Sequence, residues 1–234
     1  DCMVRAVDID SDLGGLRFTL VTPLGSAPIT SSLLGRINVY NILGAAATAY
    51  SLDLEPAAIA RGIKGLAYVP GRLQPVKNSR GLSVFVDYAH SPDALDKVLQ
   101  TLKPFATGRL ITVFGCGGDR DRGKRPEMGK VAGSLSDLVI ITSDNPRKEN
   151  PVQIVYEIEP GVQEAGLGKL ESEPSGNERG YRIVLDRREA IRDAINAATD
   201  KDIVLIAGKG HEKYQIIGSR RVSFDDVEEV ERAV

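Results

Sequence analysis

The sequence has few cysteines and no secretory signal pattern. Its 234 residues include only Cys2 and Cys116, too few for a disulfide framework and without metal-binding spacing. This low count favours a reduced, cytoplasmic setting. The first residues, DCMVRAVDID, also lack the charged and then apolar pattern of a signal peptide. They include no initiator methionine and resemble the interior of a strand, so we expect a fragment of a longer protein.

Net charge and long apolar runs are lacking too. The formal net charge is −2, so no bulk electrostatic attraction to nucleic acid or to an anionic membrane is expected. No apolar run approaches the roughly 20 residues of a membrane-spanning helix. What is present is an ordinary globular composition, 42% hydrophobic and 26% charged. Any basic site must therefore be local.

The first part of the chain combines a hairpin with two helices. Apolar and polar residues alternate on both sides of Gly14-Gly15, which predicts an antiparallel hairpin. A helix rich in small residues follows, and a shorter one begins with proline in its first turn. The prolines and glycine of VPGRLQP then predict a domain boundary. The predicted ranges are 3–22 for the hairpin, 38–52 and 55–66 for the helices, and 1–70 and 71–234 for the domains.

The second part of the chain alternates apolar strands with helices. Near-continuous apolar segments, such as LSVFVDYAH, RLITVFG and DIVLIAGKG, are typical of a parallel sheet that is buried on both faces. The alternation predicts an α/β fold, with a Rossmann-like, doubly wound and mostly parallel sheet over residues 71–234. We expect the helix over 150–162 to stop near Pro160, and residues 214–224 to form a closing hairpin.

Four of the predicted strands end in loops with polar and unusually specific residues. They lie at 87–92, 115–125, 143–151 and 208–213. In an open α/β sheet, ligands bind at the carboxyl ends of the strands, so these loops are expected to form one site. The alternative is that loops between strands and helices are polar and rich in glycine in any case.

The loop FGCGGDRDRGKR resembles a phosphate-binding loop without meeting its requirements. Counting from Gly118 gives the spacing G-x-x-x-x-G-K, but Arg125 stands where a magnesium-binding serine or threonine belongs. A dinucleotide fingerprint starting at Gly115 also fails, because Arg120 occupies the third glycine position. Neither type of nucleotide loop is expected here.

A better interpretation is that the glycines turn the backbone and direct Arg120 over the strand ends. An arginine there can bind a carboxylate or a phosphate through two hydrogen bonds. The alternative is a surface cluster of salt bridges, which is what we expect for Arg122, Lys124 and Arg125.

Two further loops carry groups suited to an amino acid. DNPR places Arg147 after the turn-forming pair Asn145-Pro146, and two arginines on neighbouring loops fit a substrate with an acid group. GKGHE supplies Glu212, which can hold an ammonium. Arginine and carboxylate together describe a zwitterionic amino acid as ligand. The alternatives are an ordinary turn in DNPR and a tight glycine turn in GKGHE, with His211 as a hydrogen-bonded loop residue.

A second group of residues could contact a nucleotide. Asn38 and Asn41 share a helix face and could recognise the edge of a base, although Asn38 could instead cap the helix. Arg72 and Asp87 flank the predicted domain boundary, and boundaries between domains are a usual place for a nucleotide to bind. An aspartate at a strand end suits ribose hydroxyls, or alternatively caps the next loop. His90 could orient Asp87, touch a phosphate or cap the following helix.

Seven motifs occur in the order that is seen in the Mur ligases, and the chain resembles that family from about Thr19 to its end. The resemblance weakens only between residues 160 and 180. It implies that 1–70 is the C-terminal part of a central α/β ATP-binding domain and 71–234 a C-terminal domain. The motifs are GRINVYN, VPGR, DYAHSPDAL, FGCGGDRDRGKRPEMG, TSDNPR, DRREAI and GKGHEKYQ.

The resemblance implies an activity in bacterial peptidoglycan synthesis. In this family, ATP with Mg²⁺ phosphorylates the D-Glu carboxylate of UDP-MurNAc-L-Ala-D-Glu, and the amine of an amino acid then displaces phosphate. The arginine of DNPR resembles the version of the enzyme that uses meso-diaminopimelate. By this likeness the ATP residues are Asn38, Asn41, Arg72 and Asp87, with His90 beside them, and the diaminopimelate residues are Arg120, Asp144, Asn145, Pro146, Arg147, Gly208 and Glu212.

The chain also departs from the family pattern. It has neither the family's P-loop nor its carbamylated lysine for magnesium nor its UDP-binding domain, so roughly half of such an enzyme is absent. We therefore assign no catalytic residue and no metal ligand, and expect the chain alone to bind weakly and not to turn over. Alternatives are a lysine-adding ligase, a folylpolyglutamate-type ligase and an inactive α/β module that binds an amino acid. The broken glycine fingerprint disfavours a Rossmann oxidoreductase.

Overall fold

The computed structural model describes residues 3–174 and 176–234, so Cys2 lies outside the described residues. It divides the chain into two compact units, Asp1–Val69 and Pro70–Val234. Among the described residues, no helix combines the length and the apolar character that crossing a membrane requires.

The first unit is a three-stranded antiparallel sheet with two helices. The predicted hairpin is present, and a third strand that we had not predicted extends it after the turn at Pro23-Leu24. Leu16, Phe18 and Leu20 project from one face of the middle strand and pack against the helices. The elements are β1 (Arg5–Asp12), β2 (Gly15–Thr22), β3 (Gly25–Ser31), α1 (Arg36–Tyr50) and α2 (Pro56–Lys64).

The second unit contains a six-stranded sheet with the order β4-β5-β9-β6-β7-β8. The edge strand β4 is antiparallel to β5, and all other pairs are parallel. The prediction of an α/β fold with a mostly parallel sheet is therefore confirmed. The strands are β4 (Gln74–Pro75), β5 (Ser83–Asp87), β6 (Leu110–Phe114), β7 (Leu138–Ile141), β8 (Gly180–Ile183) and β9 (Ile203–Ala207).

Helices cover the sheet, and a short hairpin follows its last strand. Val84, Val86 and Val113 point toward α6 and α7, which share one core with them. The alternate residues of the strands face the other way, where α3, α4 and α5 pack side by side. The remaining elements are α3 (Pro92–Leu102), α4 (Lys124–Leu135), α5 (Pro151–Glu164), α6 (Arg187–Ala197), β10 (Tyr214–Ile217), β11 (Arg220–Ser223) and α7 (Asp226–Ala233).

The expected stop of α5 near Pro160 is wrong, because the helix continues through it to Glu164. A proline inside a helix removes one backbone hydrogen bond. The residues after it are held by tertiary packing, since Gly161 and Val162 are buried. A Cβ atom on Gly161 would lie only 1.9 Å from the carbonyl oxygen of Pro126 in α4. Packing between α4 and α5 thus outweighs the local preference of proline to end the helix.

The strand order brings the polar loops together. The strands β5, β9, β6 and β7 are consecutive neighbours in the sheet, and all four are parallel. Their carboxyl ends therefore meet at one edge, which places the four predicted loops side by side.

Candidate functional site

A cleft of about 500 Å³ lies at this edge of the second unit. All four loops contribute to its walls. Half-buried Tyr88 and Tyr214 also line it, and we had not predicted either residue. The predicted site residues that line the cleft are His90, Arg120, Asp144, Asn145, Arg147, Gly208 and Glu212.

Pro146, Arg72 and Asp87 are not part of this wall. Pro146 instead lines a second cleft of about 400 Å³, beside the start of α6 and the β10–β11 hairpin. The structure therefore brings together six of the seven residues predicted for diaminopimelate, and one of those predicted for ATP.

Arg147 is fixed by backbone pairing to the closing hairpin. Its N–H donates to the carbonyl oxygen of Ile216 at 3.0 Å, and its own carbonyl oxygen accepts from the N–H of Gly218 at 2.7 Å. These bonds hold Arg147 at a φ of 50°, a left-handed conformation that few non-glycine residues adopt. The side chain reaches the glycine-rich loop at 115–125, which we call the opening loop, where Nη1 donates to the carbonyl oxygen of Gly118 at 2.8 Å. Arg147 is thus presented at a defined position in the cleft.

The glycines of the opening loop permit close packing on the DNPR loop. A Cβ atom on Gly118 would lie 2.0 Å from the carbonyl oxygen of Pro146, and one on Gly115 would lie 2.2 Å from that of Thr142. No side chain fits at either position. The glycines therefore serve contact between two loops, and the exposed Arg120 follows them on the wall of the cleft.

The expectation that Arg125 belongs to a surface cluster is wrong. Its side chain is fully buried, and its guanidinium contacts Glu149 at 2.9 Å and Glu157 at 2.7 Å. Arg122 is exposed and reaches the same two carboxylates, as expected of a surface salt bridge. Lys124 is half-buried, and its Nζ donates to the carbonyl oxygen of His90 at 2.7 Å. Arg125 and Lys124 thus connect three of the loops.

The carboxylate of Glu149 accepts hydrogen bonds from both arginines and from the backbone of the opening loop. The hydrogen bonds from Arg125 and from the backbone N–H of Asp119 lower the pKa of Glu149 to about 2. The carboxylate is therefore ionised at neutral pH and joins the start of α5 to the opening loop.

Lys209 is a site residue that we did not predict. It stands between two glycines at the carboxyl end of β9, and its side chain is completely buried. Its ammonium lies 3.5 Å from Asp144 Oδ1, 3.3 Å from Asn145 Oδ1 and 3.3 Å from Glu212 Oε2. The one signal in the sequence is a lysine that follows an apolar strand after a single glycine. It lies in the GKGHE motif, in which the sequence analysis selects Gly208 and Glu212 as site residues but not the lysine.

Glu212 and Asn145 also contact each other. Asn145 Nδ2 donates to Glu212 Oε2 at 2.9 Å, while Asn145 Oδ1 accepts from the N–H of Ile216. Asp144 contributes a further link, since its carbonyl oxygen accepts from Gln215 Nε2 at 2.7 Å. Hydrogen bonds therefore join the DNPR loop, the GKGHE loop and the closing hairpin. We call the four residues at their centre the Lys209 cluster: Asp144, Asn145, Lys209 and Glu212.

Asp87 has the geometry of a buried cap. One carboxylate oxygen accepts from the N–H of Leu73 at 2.7 Å, and the other accepts from the N–H of Ala89 at 2.8 Å. Burial raises the pKa of Asp87, while the two backbone hydrogen bonds and the charge of Arg72 act against the increase. A contact of Asp87 with ribose stays a prediction.

Arg72 and His90 gather around Tyr88. The guanidinium of Arg72 lies 5.3 Å from the centre of the Tyr88 ring, within the range of a cation–π contact. His90 Nδ1 donates to the carbonyl oxygen of Tyr88 at 2.8 Å, and the two rings meet edge to face. His90 does not cap α3, because Ser91 accepts the capping hydrogen bond from Ala94. The sequence had left all three roles of His90 open.

Asn38 and Asn41 lie in the first unit. They share a face of α1 as predicted, and Asn41 Nδ2 donates to Asn38 Oδ1 at 2.9 Å. The helix begins at Arg36, so Asn38 is not its cap, and its own amide donates to the carbonyl oxygen of Leu34. Among the described residues Asn41 Oδ1 accepts no hydrogen bond, so it is available to another donor.

The described residues include no group of three His, Cys, Asp or Glu side chains that could hold a metal ion. They therefore do not fit Mg²⁺ on their own, and we assign no step to it. The second unit fits ATP only in part, because Arg72 is exposed and available whereas both oxygens of Asp87 already accept hydrogen bonds.

The chain belongs to the Mur ligase family. The family model described as Mur ligase, glutamate ligase domain, matches residues 71–210. Among curated proteins, the UDP-N-acetylmuramoyl-L-alanyl-D-glutamate–2,6-diaminopimelate ligase of Geobacter metallireducens is 53% identical over 99% of this chain and 46% of its own length. The ligase of the same name from Bacillus licheniformis is 45% identical over all of this chain and 45% of its own length. The chain spans about half the length of these relatives.

Solved structures agree with this assignment. A structure of a UDP-N-acetylmuramoyl-L-alanyl-D-glutamate–2,6-diaminopimelate ligase has a TM-score of 0.70 and 42% identity, and the match covers 99% of this chain and 45% of that one. A folylpolyglutamate synthase from Thermotoga maritima has a TM-score of 0.65 at 19% identity, over 88% of this chain and 43% of the other. The second likeness shows the shared fold alone.

Proposed function

We propose that this chain is the C-terminal portion of an ATP-dependent ligase that adds meso-diaminopimelate to the D-Glu of UDP-MurNAc-L-Ala-D-Glu in the cytoplasm. The names of relatives that match nearly the whole chain support meso-diaminopimelate as the proposed substrate. The observation that carries the proposal is the pairing of charges in one cleft, where Arg120 and Arg147 share the walls with Glu212.

The charges suit the far end of meso-diaminopimelate, which carries an ammonium and a carboxylate. In the proposal, Arg120 and Arg147 bind the carboxylate through charge-assisted hydrogen bonds. Glu212 and the backbone at Gly208 bind the ammonium, with Asp144, Asn145 and Pro146 shaping the loop around it. Lysine has no carboxylate at this end, so it would leave two arginines unpaired, and this loss provides the discrimination.

The nucleotide part of the proposal rests on residues outside the cleft wall, apart from His90. We propose that Asn38, Asn41, Arg72 and Asp87 are nucleotide-binding residues, as the resemblance to the family implies. ATP supplies the phosphoryl group that activates the D-Glu carboxylate as an acyl phosphate. The residues of this chain bind and orient the substrates, and the incoming amine of the amino acid displaces phosphate.

The P-loop sequence of the family does not occur in these 234 residues. We therefore propose that the chain acts together with an N-terminal half that supplies the phosphate-binding loop, the magnesium ligands and the UDP site. On this proposal the chain alone does not turn over. ATP-dependent ligation by the isolated chain, abolished by Arg147→Ala, would contradict this part.

The experiment uses the complete ligase that contains this chain and measures phosphate release at varied concentrations of each substrate. Arg120→Ala and Arg147→Ala are each expected to raise the KM for meso-diaminopimelate far more than the KM for ATP. Lys148→Ala is the matched control, because Lys148 is exposed and does not line the cleft. An equal rise in both KM values would contradict the proposal, and equal use of lysine by the unaltered protein would indicate a lysine-adding ligase instead.

A further inference from the structure

Lys209 is a buried cation in the middle of the candidate amino-acid site. Lysine is almost never fully buried unless it is paired, and this side chain has no exposed surface. Its ammonium has three oxygen neighbours, which belong to Asp144, Asn145 and Glu212. All three neighbours belong to the proposed amino-acid site, where Glu212 binds the ammonium and Asp144 and Asn145 shape the loop around it.

The distances show how the ammonium is shared. At 3.3 to 3.5 Å, each contact lies beyond the 2.7–3.2 Å typical of protein hydrogen bonds. The ammonium is therefore placed between three acceptors and not seated on one of them. It joins the DNPR loop, which follows β7, to the GKGHE loop, which follows β9.

The orientation of Glu212 follows from these contacts. Lys209 and Asn145 both bind its Oε2 atom. Within the described part of the chain, Oε1 of Glu212 accepts no hydrogen bond, and the residue lines the cleft. One oxygen is thus held by the protein while the other is free to accept from a ligand.

The net charge of the Lys209 cluster also suits an ammonium ligand. Asp144 and Glu212 contribute two negative charges and Lys209 contributes one positive charge. One negative charge is left over, which is what a single ammonium requires. Without the lysine, two carboxylates would share a partly buried space, and their repulsion would favour movement of Glu212 away from its position.

We propose that Lys209 is a positioning residue for the amino-acid substrate. It holds Glu212 through Oε2 so that Oε1 accepts from the ammonium of the incoming amino acid. Its contacts with Asp144 and Asn145 hold the DNPR loop beside Glu212. The inference rests on the proposed function. A lysine that merely stabilises the fold would not act on one substrate in particular.

The first test is Lys209→Met in the complete ligase, with both KM values measured. The KM for meso-diaminopimelate is expected to rise by about 30-fold or more, the lower end of what truncating one partner of a buried charge pair costs. The KM for ATP should stay unchanged. Lys213→Met is the matched control, since Lys213 is next to Glu212 but is 77% exposed and pairs with Asp225. Equal rises in both KM values, or no change in either, would overturn the inference.

A second test asks whether Lys209 acts through Glu212. Glu212→Gln alone should weaken diaminopimelate binding, and adding Lys209→Met to it should cause little further loss, because the two residues share one interaction. Independent, multiplying effects would overturn the inference. The double variant removes one charge of each sign, so it keeps the test available where Lys209→Met alone fails to fold.

Conservative replacement gives a third readout. Lys209→Arg keeps the positive charge and its hydrogen-bond donors, and is expected to recover most of the KM for meso-diaminopimelate lost in Lys209→Met. Failure to use meso-diaminopimelate by the unaltered ligase would contradict the proposed function itself. If the unaltered ligase uses meso-diaminopimelate and Lys209→Met has the same KM for it, only the role of Lys209 is contradicted.

Discussion

Arg125 at the start of α4 is joined to Glu149, just before α5, by contacts between its guanidinium and both carboxylate oxygens. The arginine is fully buried, whereas Arg122 binds the same carboxylate from a position that is 64% exposed. The two arginines therefore offer a matched comparison of a buried and a surface ion pair.

Arg125→Met is expected to lower the free energy of unfolding by about 3 kcal/mol, because it leaves Glu149 and Glu157 without their buried partner. Arg122→Met should cost less than about 1 kcal/mol, since exposed ion pairs contribute little. Urea denaturation of each variant measures both values. Similar losses in the two variants would contradict the buried role of Arg125.

Glu149 should make the stability depend on acidic pH. Its pKa is about 2 in the folded protein and 4.5 ordinarily, so its contribution is complete above pH 4.5 and is lost as the pH falls toward 2. Glu149→Gln should therefore be less stable than the unaltered protein at pH 7, and its stability should fall less between pH 4.5 and pH 2.

Thermal unfolding at a series of pH values measures this difference. Glu164→Gln is the control, because the Glu164 side chain is 63% exposed and its ion pair with Lys130 lies at the surface. Parallel pH profiles for the unaltered protein and Glu149→Gln would contradict the contribution of Glu149 to the dependence of stability on pH.

Cys116 should be unreactive in the folded protein. Burial raises the pKa of its thiol to about 12, so very little thiolate is present at pH 8. Iodoacetamide is expected to label Cys116 quickly in denaturant and hardly at all in the native state, as followed by peptide mass spectrometry, which separates it from Cys2. Native labelling at the rate of a free thiol would show that the site opens readily.

Gly161→Ala should separate α5 from α4. The added methyl would lie 1.9 Å from the carbonyl oxygen of Pro126, so the helices must move apart, at an expected cost of at least about 2 kcal/mol. Gly62→Ala in α2 meets nothing within 4 Å among the described residues, and should stabilise by up to about 1 kcal/mol through helix propensity. Chemical denaturation of both variants tests the contrast, which an equal effect in both would refute.

Much of the second unit was predictable because its strands are unbroken apolar runs. Segments such as LITVF and IVLIA can be stable only when both faces are covered, so the parallel sheet and its loops followed. The convergence of Arg120, Arg147 and Glu212 then came from a general rule about strand ends.

The errors fall where long-range packing decides the outcome. Arg125 reads as one of several surface charges, and its burial depends on partners 24 and 32 residues away. Pro160 is tolerated because of contacts with another helix. Lys209 was missed for the same reason, since its three oxygen neighbours come from two separate loops.

The backbone pairing between Arg147 and the closing hairpin has a use in engineering. Because Ile216 and Gly218 bind the two sides of residue 147, the end of β10 and the first residue of the turn after it hold the DNPR loop in place. Deleting a residue between Ile216 and Gly218 would break one of these two bonds and release the backbone of the arginine. The backbone of the hairpin, and not only the side chains in the cleft, is thus a variable by which amino-acid selectivity could be redesigned.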